Sequence, residues 1–415
     1  MHNWLRNTHG DLAAMPFQGR DHVLVMTPES AREVFTQDPD MYDAFWKESV
    51  AGMNGQDSHW VLIGERHHRE RMLFSPAVHA NHCRAYGNVI HEIARRRFDR
   101  WQPGKTLKAV DTTMMISLDV IMRLVFGVEA GKVMEEGCKL VRTLTHTAHP
   151  LIVFYPKLQR PWFPLWWLYV NAKKNLYAWM QKLLDDRRAN QVDVGDVMGV
   201  LMKANDAKGN TVSDEHICNQ LLSVLTAGQM TTAVALAWAL YELGRYPEIT
   251  TKLRAELDAA GPEPDPSLIL TSMPYLDANI KETIRLHPIL SECARIPMEP
   301  VRIRRRTVQP GQALVVSIVS IHHNPDTYPE PDSFKPERFV ERKFSIYEFL
   351  PCSGEHRLCR GAGLAEYTLR LALAEAVTHW DFETAGVDKD IRHDLAMGPK
   401  YGVPLHIIAK IMNKM

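Results

Sequence analysis

The sequence predicts a mainly α-helical fold with small β-sheets. Helical periodicity dominates the middle of the chain, whereas short runs of strand-forming residues lie toward its two ends. The chain has 415 residues, 45% of them hydrophobic, which is enough to bury a large core. It shows no internal repeat and no low-complexity tract. Length and composition do not choose between one large domain and two.

The expected elements follow in order along the chain. Strands are expected at residues 23–26 and, after the turn that Pro310 and Gly311 favour, at residues 313–319. Apolar residues at helical spacing predict helices at residues 30–37, 85–101, 112–126, 169–188, 221–240 and 364–377. The sheets are therefore expected to be small and to be built from the two ends of the chain.

Two apolar stretches resemble membrane spans at first sight. Residues 221–240 are nearly apolar, but Ser223, Thr226 and Gln229 would each need a hydrogen-bonding partner in lipid. We therefore expect a buried central helix there. The aromatic-rich residues 150–170 are broken by prolines, Lys157 and Arg160, and the first residues contain no apolar run. The sequence thus predicts no membrane anchor.

Charge and cysteine usage limit the classes of partner. The 49 basic and 49 acidic residues cancel, so no global field attracts nucleic acid or an anionic membrane. The six cysteines have neither metal-finger spacing nor the density of a disulfide scaffold, which indicates a reducing compartment. They are Cys83, Cys138, Cys218, Cys293, Cys352 and Cys359. The expectation is a cytoplasmic protein without a nucleic-acid partner.

Cys359 is the strongest candidate for a metal ligand. It follows the glycine-containing segment 349–358 and precedes the helix expected at residues 364–377. A helix N-terminus carries partial positive charge, and Arg357 and Arg360 flank the sulfur, so the thiolate is favoured over the thiol. An isolated cysteine is more often an inert core residue, so this interpretation depends on further motifs.

Three further motifs accompany Cys359. Glu282 and Arg285 lie three residues apart and share one face of a helix. The segment Phe-Lys-Pro-Glu-Arg-Phe follows at residues 334–339, and Ala-Gly-Gln-Met-Thr-Thr interrupts the long apolar helix at residues 227–232. With these motifs in this order, the chain resembles the cytochrome P-450 family of heme-thiolate enzymes from about residue 10 to its C-terminus.

The resemblance implies a fold and a cofactor. The whole chain, residues 1–415, would form a single cytochrome P-450 domain, with a small β-rich portion near residues 10–45 and 296–325 and a helical, heme-binding remainder. The cofactor would be heme b, iron protoporphyrin IX. Thiolate ligation by Cys359 would push electron density onto the iron, which favours cleavage of the O–O bond.

The resemblance also implies which residues surround the heme. Cys359 would bind the iron, and Gly361 belongs to the same motif. The two heme propionates would be bound by the cationic side chains of His67, Arg71, Arg295 and Arg357. A buried structural lock between a helix and the heme-binding loop would consist of Glu282, Arg285 and Arg338.

Two positions before Cys359 depart from the family pattern. Cys352 replaces the usual phenylalanine seven residues before the ligand, and Glu355 replaces the usual glycine four residues before it. Loss of the aromatic ring changes the surroundings of the sulfur. A side chain at a glycine position predicts local strain or a shifted turn. Both changes bear on the reduction potential and on heme retention.

Oxygen activation departs further from the pattern. In the family, a threonine of the central helix hydrogen-bonds oxygen and a neighbouring acid relays protons, and the positions that fit are Ala227, Gly228, Thr231 and Thr232. The acid position is Met230, whose thioether has no proton to donate. Protons would then come through Thr231 and ordered water, from Glu292, or from the substrate itself. Alternatively, the reaction needs little proton delivery, as in peroxide-driven oxidation or oxidative coupling.

The electrons needed for monooxygenation must come from outside, because the chain has no flavin, nicotinamide or iron–sulfur motif. The resemblance implies a ferredoxin or flavodoxin with its reductase, docking on the cysteine side of the heme. A positive patch for such an acidic partner would comprise Arg342, Lys343, Arg357, Arg360 and residues 304–306.

The leading functional prediction is a monooxygenase that inserts one atom of dioxygen into an apolar small-molecule substrate by hydroxylation or epoxidation. Its substrate pocket would be lined by Val224, Ala227, Leu290, Ser291 and Glu292. Fatty acids, terpenoids, polyketides and aromatic compounds all suit such a lining. The alternatives are a peroxide-dependent oxygenase or oxidative-coupling oxidase on the same scaffold, and a heme-binding protein without turnover.

Overall fold

Helices form most of the molecule, as predicted. The computed structural model describes residues 6, 8, 10–17, 20–78, 86–191, 195–205, 209–261, 265–392 and 396–411. The helices are α1 (Pro28–Phe35), α2 (Lys47–Asn54), α3 (Gly64–Val78), α4 (Gly87–Phe98), α5 (Ala109–Leu124), α6 (Lys132–Thr147), α7 (Pro150–Phe154), α8 (Pro164–Asn190), α9 (Val197–Met202), α10 (Asp214–Arg245), α11 (Pro247–Ala259), α12 (Pro266–Thr271), α13 (Pro274–Leu286), α14 (Ile318–His322), α15 (Glu337–Glu341) and α16 (Ala362–His379).

The strands form small sheets. They are β1 (Leu12–Phe17), β2 (Arg20–Val25), β3 (Tyr42–Asp43), β4 (Thr106–Lys108), β5 (Glu292–Pro297), β6 (Val301–Ile303), β7 (Arg306–Val308), β8 (Leu314–Ser317), β9 (Trp380–Thr384), β10 (Asp390–Arg392), β11 (Met397–Pro399) and β12 (Pro404–Lys410). The largest sheet has the order β1-β2-β8-β5-β3, and its β2–β8 pair is parallel. This sheet joins residues 12–43 to residues 292–317. The sequence analysis placed the β-rich portion near residues 10–45 and 296–325.

Helix α10 lies at the centre of the molecule and is longer than the predicted helix at residues 221–240. Its first turn is capped by Ser213, whose Oγ accepts a hydrogen bond from the backbone N–H of His216 at 3.2 Å. It packs against α5, α13 and α16. Within the described ranges, α10 alone is long and apolar enough to cross a membrane, and 61% of its most apolar window is buried. Helix α10 is therefore the buried core helix that the sequence predicted.

Other boundaries differ from the predictions in specific ways. The strand expected at residues 313–319 ends at Ser317, because the Ser317 side chain caps α14 by accepting the backbone N–H of Ser320 at 3.2 Å. The aromatic stretch at residues 150–170 forms α7, a short turn and the start of α8, and Trp162 is 72% exposed. The beginning of the helix expected at residues 85–101, together with Cys83, falls outside the described residues.

A buried ion cluster holds α13 to the segment that follows β8. Glu282 and Arg285, both fully buried, form a bidentate pair, with Arg285 Nε 2.7 Å from Glu282 Oε2 and Nη2 2.8 Å from Oε1. The Nε of Arg338 also donates to Glu282 Oε1, at 3.0 Å. Arg285 Nη1 donates to the carbonyls of His322 and Pro331 at 2.9 and 2.8 Å. The three residues therefore meet in the arrangement that the sequence predicted.

His322 extends this cluster to the loop that carries Cys359. Its carbonyl accepts from Arg285, and its ring Nε2 accepts the backbone N–H of Leu350 at 2.8 Å. His322 is fully buried. Burial and the charge of Arg285 hold its pKa well below the usual range, so the ring is neutral and keeps a lone pair for Leu350. The sequence analysis did not single out this residue.

A second buried cluster joins α10, the end of α13 and β10. The ring of His287 stacks on Trp238 with centroids 3.9 Å apart. His287 Nδ1 lies 2.7 Å from Asp390 Oδ2, and Nε2 lies 2.8 Å from Glu242 Oε1. Burial by itself would lower the pKa of His287, but the hydrogen bonds with Asp390 and Glu242 outweigh it and raise the pKa. The imidazolium therefore stabilises the folded state.

We expect the Glu282→Gln variant to lose stability and heme together. An amide leaves the buried Arg285 guanidinium without its anion, a defect that costs about 3–5 kcal/mol. The urea midpoint from circular dichroism and the heme content of purified protein are the measurements. The matched control is Glu341→Gln on α15, at an exposed carboxylate. A Glu282→Gln midpoint equal to that of the control would contradict the structural role.

We expect the His287 cluster to make stability depend on pH. Because the folded-state pKa is raised above the usual value, the stabilisation is complete below about pH 6.5 and is lost as pH rises through the folded-state pKa. Urea unfolding of native protein between pH 5.5 and about pH 9 measures this. His287→Gln should flatten the dependence, whereas His146→Gln, at an exposed site, should not. An unchanged slope in His287→Gln would refute the assignment.

Candidate functional site

The loop before α16 presents Cys359. The backbone N–H of Cys359 donates to the carbonyl of Cys352 at 3.1 Å, which closes the loop on itself. Gly354 packs against Phe35 so closely that a Cβ would lie 2.9 Å from the ring, so a side chain there would force the loop outward. Cys359 itself is exposed. The loop therefore offers the sulfur at the N-terminal end of a long helix.

Glu355 carries the strain that the sequence predicted for a side chain at a glycine position. Its φ is +50°, in the left-handed region that is costly for most residues, and Ser353 has φ +65°. The hydroxyl of Tyr347 donates to Glu355 Oε1 at 2.8 Å. Arg295 Nη2 lies 3.4 Å from Ser353 Oγ. These side-chain contacts hold the strained turn.

The surroundings of Cys359 favour its thiolate. The pKa of Cys359 is lowered to about 7, chiefly by a hydrogen bond with the Cys352 thiol. Although the residue as a whole is exposed, protein atoms around the sulfur desolvate it and oppose this effect. The backbone N–H groups of Gly361 and Ala362 and the charge of Arg71 lower it further. The helix N-terminus contributes as the sequence predicted. Arg71, on a distant helix, supplies positive charge that the sequence analysis had ascribed to the two flanking arginines.

Four basic residues from three segments lie close to each other. His67 and Arg71 come from α3, Arg295 from β5 and Arg357 from the loop before α16. Burial first, and then the charges of Arg295 and Arg71, lower the pKa of Arg357 to about 10. Burial and the charges of Arg357 and Arg71 lower the pKa of His67 to about 3. The three guanidinium groups thus repel one another in a partly desolvated site, and the His67 ring beside them is neutral.

A dianionic group fits this cluster. Arg357 Nη2 donates to the carbonyl of Leu62 at 2.7 Å, and Arg71 Nη2 donates to the carbonyl of Leu358 at 2.7 Å. Neither acceptor neutralises a guanidinium charge. The Nε of Arg360 is buried without a hydrogen-bond partner. Two carboxylates such as the propionates of heme would supply negative charge and further hydrogen-bond acceptors to these side chains.

His59 lies beside the same arginines as a neutral ring and was missed by the sequence analysis. Its Nδ1 lies 3.3 Å from Gln220 Oε1 on α10. Burial is the main cause that lowers its pKa to about 4, and the charges of Arg71, Arg357 and Arg360 add to the effect. A histidine in a loop has no sequence signal that distinguishes it from a solvated one. Only the folded structure places it beside the arginines.

The Ala-Gly-Gln-Met-Thr-Thr segment of α10, residues 227–232, is helical throughout. The interruption that the sequence analysis described is therefore a change in residue type and not a break in the helix. Thr226 is exposed although its neighbour Leu225 is buried, and Val224, Ala227, Gly228, Met230 and Thr231 are half-buried. Thr231 Oγ1 donates to the carbonyl of Ala227 at 2.7 Å. Thr232 is buried. One side of the central helix is therefore open around Thr226 and Ala227.

Met230 and Glu292 bear on the proton supply. Met230 packs against the large apolar cluster, and its neighbour Gln229 is buried with Oε1 accepting from Thr145 at 3.2 Å. The carboxylate of Glu292 lies 2.7 Å from Arg392 Nη2, which also donates to Ser291 Oγ at 2.5 Å. Glu292 would have to leave this ion pair to donate a proton. Arg392 is a further residue that the sequence analysis missed.

The described part of the chain contains no group of three or more His, Cys, Asp and Glu side chains able to hold a metal ion. Among these residues, Cys359 thus has no cluster of further protein ligands beside it. A metal bound there would have to bring most of its own ligands, as the iron of a porphyrin does.

Comparisons with known proteins agree with this geometry. The family model "Cytochrome P450" matches residues 1–403. The chain is 28% identical over 387 residues to "Putative cytochrome P450 138" of Mycobacterium tuberculosis, covering 92% of this chain and 85% of that protein. It is 30% identical over 416 residues to "Putative cytochrome P450 135B1" of the same species, covering 97% of this chain and 85% of that protein.

Solved structures share the fold over nearly the whole chain. "Retinoic acid bound cyanobacterial CYP120A1" matches with a TM-score of 0.86 and 20% identity, covering 98% of this chain and 93% of that chain. "Crystal structure of a Cytochrome P450 (CYP102L1)" matches with a TM-score of 0.83 and 22% identity, with the same coverage. The expected fold is confirmed. The chain belongs to the cytochrome P450 family of heme-containing monooxygenases.

Proposed function

We propose that the protein binds heme b through Cys359 and inserts one atom of dioxygen into an apolar small-molecule substrate. The observation that carries the proposal is the convergence of one exposed, thiolate-favouring cysteine with His67, Arg71, Arg295 and Arg357. When bound, heme supplies the iron chemistry that activates dioxygen. The protein's own contribution is to hold the sulfur, neutralise the propionates and order the substrate.

Each proposed site residue has a distinct task. The Cys359 sulfur binds the iron, and the Gly361 backbone N–H stabilises the thiolate. The open side of α10 at Val224, Ala227 and Gly228 forms one wall of the pocket. Leu290, Ser291 and Glu292 form another wall, which the Arg392 ion pair makes partly polar. An apolar substrate with one polar group suits this lining.

The proton supply is proposed to pass through the Thr231 hydroxyl and ordered water. Thr231 Oγ1 has an internal acceptor, the Ala227 carbonyl, from which it must turn to deliver a proton. Glu292 is less suited because Arg392 already holds it. The residue before Thr231 is Met230, where the family pattern has an acid. The lack of an acid at this position favours a second candidate function, peroxide-dependent oxidation or oxidative coupling on the same scaffold.

A separate electron donor, a ferredoxin or flavodoxin with its reductase, is proposed to dock near the Cys359 loop. The positive patch is weaker than the sequence predicted. Arg304 forms ion pairs with Asp11 and Glu33 at 3.1 and 3.4 Å, and Arg342 is paired with Glu348. Lys343 and Arg305 are exposed and remain candidates for the contact.

The described cysteines are all free thiols, which supports the proposed cytoplasmic location.

The Cys359→Ser variant tests the heme-thiolate assignment. We expect native protein reduced under carbon monoxide to show the red-shifted Soret band of thiolate ligation. The variant should lose this band, because an alcohol is a much weaker donor to iron than a thiolate. The control is Cys218→Ser, at a buried cysteine of α10. Retention of the band in Cys359→Ser would overturn the ligand assignment.

The Met230→Glu variant tests the proton supply. With a surrogate ferredoxin system and a substrate found by Soret titration, we expect the fraction of electrons released as hydrogen peroxide to fall by about twofold or more, because the carboxyl restores a proton donor. Met230→Gln matches the shape but donates no acidic proton. Equal peroxide release in native protein and both variants would mean that proton delivery is not limiting and would favour the peroxide-dependent alternative.

A further inference from the structure

Glu292 and Arg392 form an ion pair beside Ser291. Arg392 Nη2 donates to Glu292 Oε1 at 2.5 Å and to Oε2 at 2.7 Å. The same nitrogen donates to Ser291 Oγ at 2.5 Å, and the Ser291 hydroxyl donates in turn to Glu292 Oε2. The three side chains therefore form one closed network in which the charges of Glu292 and Arg392 cancel.

Paired strands hold this network in place. Glu292 begins β5 and pairs with Ser317 of β8, and Arg392 ends β10 and pairs with Met397 of β11. The backbone N–H of Met397 donates to the carbonyl of Ile289 at 2.7 Å, which ties β11 to the segment before β5. Functional side chains on strands are positioned more precisely than those on loops. The two charged groups thus keep a fixed geometry.

The network lies beside the pocket wall that the proposed function assigns to Leu290. Strand β11 packs against α10, whose open side forms the other proposed wall. Ser291 is buried, whereas the side chains of Glu292 and Arg392 are 25% and 37% exposed. A small polar group of a bound molecule therefore reaches both charged side chains without breaking the pair.

We propose that the Glu292–Arg392 pair determines specificity by selecting a substrate whose polar group is uncharged, such as a hydroxyl, a ketone or an ester. The inference rests on the proposed function and names the substrate class of the same site. A hydroxyl donates to the Glu292 carboxylate, and a carbonyl accepts from the Arg392 guanidinium. Neither group carries a charge that binding has to remove from water.

A charged substrate gains little from the pair. A carboxylate that approaches Arg392 also approaches the carboxylate of Glu292, because both Glu292 oxygens lie within 2.7 Å of one guanidinium nitrogen. Attraction and repulsion then largely cancel, whereas the cost of removing the carboxylate from water remains. The same argument with reversed signs applies to a cation. Free fatty acids are therefore disfavoured relative to neutral terpenoids and polyketides.

Soret titrations of ferric protein at about pH 7.5, where carboxylic acids are ionised, test this inference. The probes are dodecan-1-ol, dodecanoic acid and dodecyltrimethylammonium, whose quaternary nitrogen cannot bind iron. We expect native protein to bind the alcohol most tightly. Glu292→Gln should tighten binding of dodecanoate by about tenfold, because Arg392 then lacks its anion, and Arg392→Gln should tighten binding of the cation by about tenfold. The control is Glu129→Gln, which removes an exposed ion pair with Arg123 and should change none of the three.

The readout is the order of preference among the probes, which a purely structural role would not change. The inference is overturned if Glu292→Gln weakens all three probes alike, or if native protein prefers dodecanoate to the alcohol. Should Glu292→Gln lose its heme, Arg392→Gln decides through its preference for the cation. Native protein without a thiolate Soret band would defeat the proposed function. The band in native protein, with an unchanged order in both variants, defeats this inference alone.

Discussion

The buried pair of Glu282 and Arg285 is the constraint on which the site depends. Each charge is fully buried, so each persists only because the other is present and because Arg338 and several carbonyls satisfy the remaining hydrogen-bonding groups. The cluster joins α13 to the segment before the loop that carries Cys359. The ring of His322 accepts a hydrogen bond from the backbone N–H of Leu350 in that loop. The position of the sulfur thus follows from contacts made far from it in sequence.

A second constraint is electrostatic. Burial and the neighbouring guanidinium groups depress the pKa values of His67 and His59, which are therefore neutral, and the pKa of Arg357, which stays charged close to Arg71 and Arg295. A group that carries two carboxylates relieves this cost when it binds. Affinity for heme is therefore expected to come from the charge complementarity of this cluster as well as from the Cys359 sulfur.

The three departures from the family pattern have related consequences. Glu355 occupies a left-handed conformation in the loop, which a tyrosine hydroxyl and the neighbouring contacts hold in place. Cys352 places a thiol where an aromatic ring was expected, and Met230 places a thioether where an acid was expected. The proposed effect of Met230 acts on O–O cleavage through the supply of protons.

The sequence by itself determined the helical class, the central apolar helix, the cysteine ligand candidate and the Glu282–Arg285–Arg338 cluster. The first two follow from periodicity, and the last two from motifs that resemble those of the cytochrome P450 family. Only the tertiary structure decided that Arg71 lies beside Cys359, that Arg392 holds Glu292, and that His59 and His322 belong to the site. Such residues carry no local signal, because their role comes from contacts between segments that folding brings together.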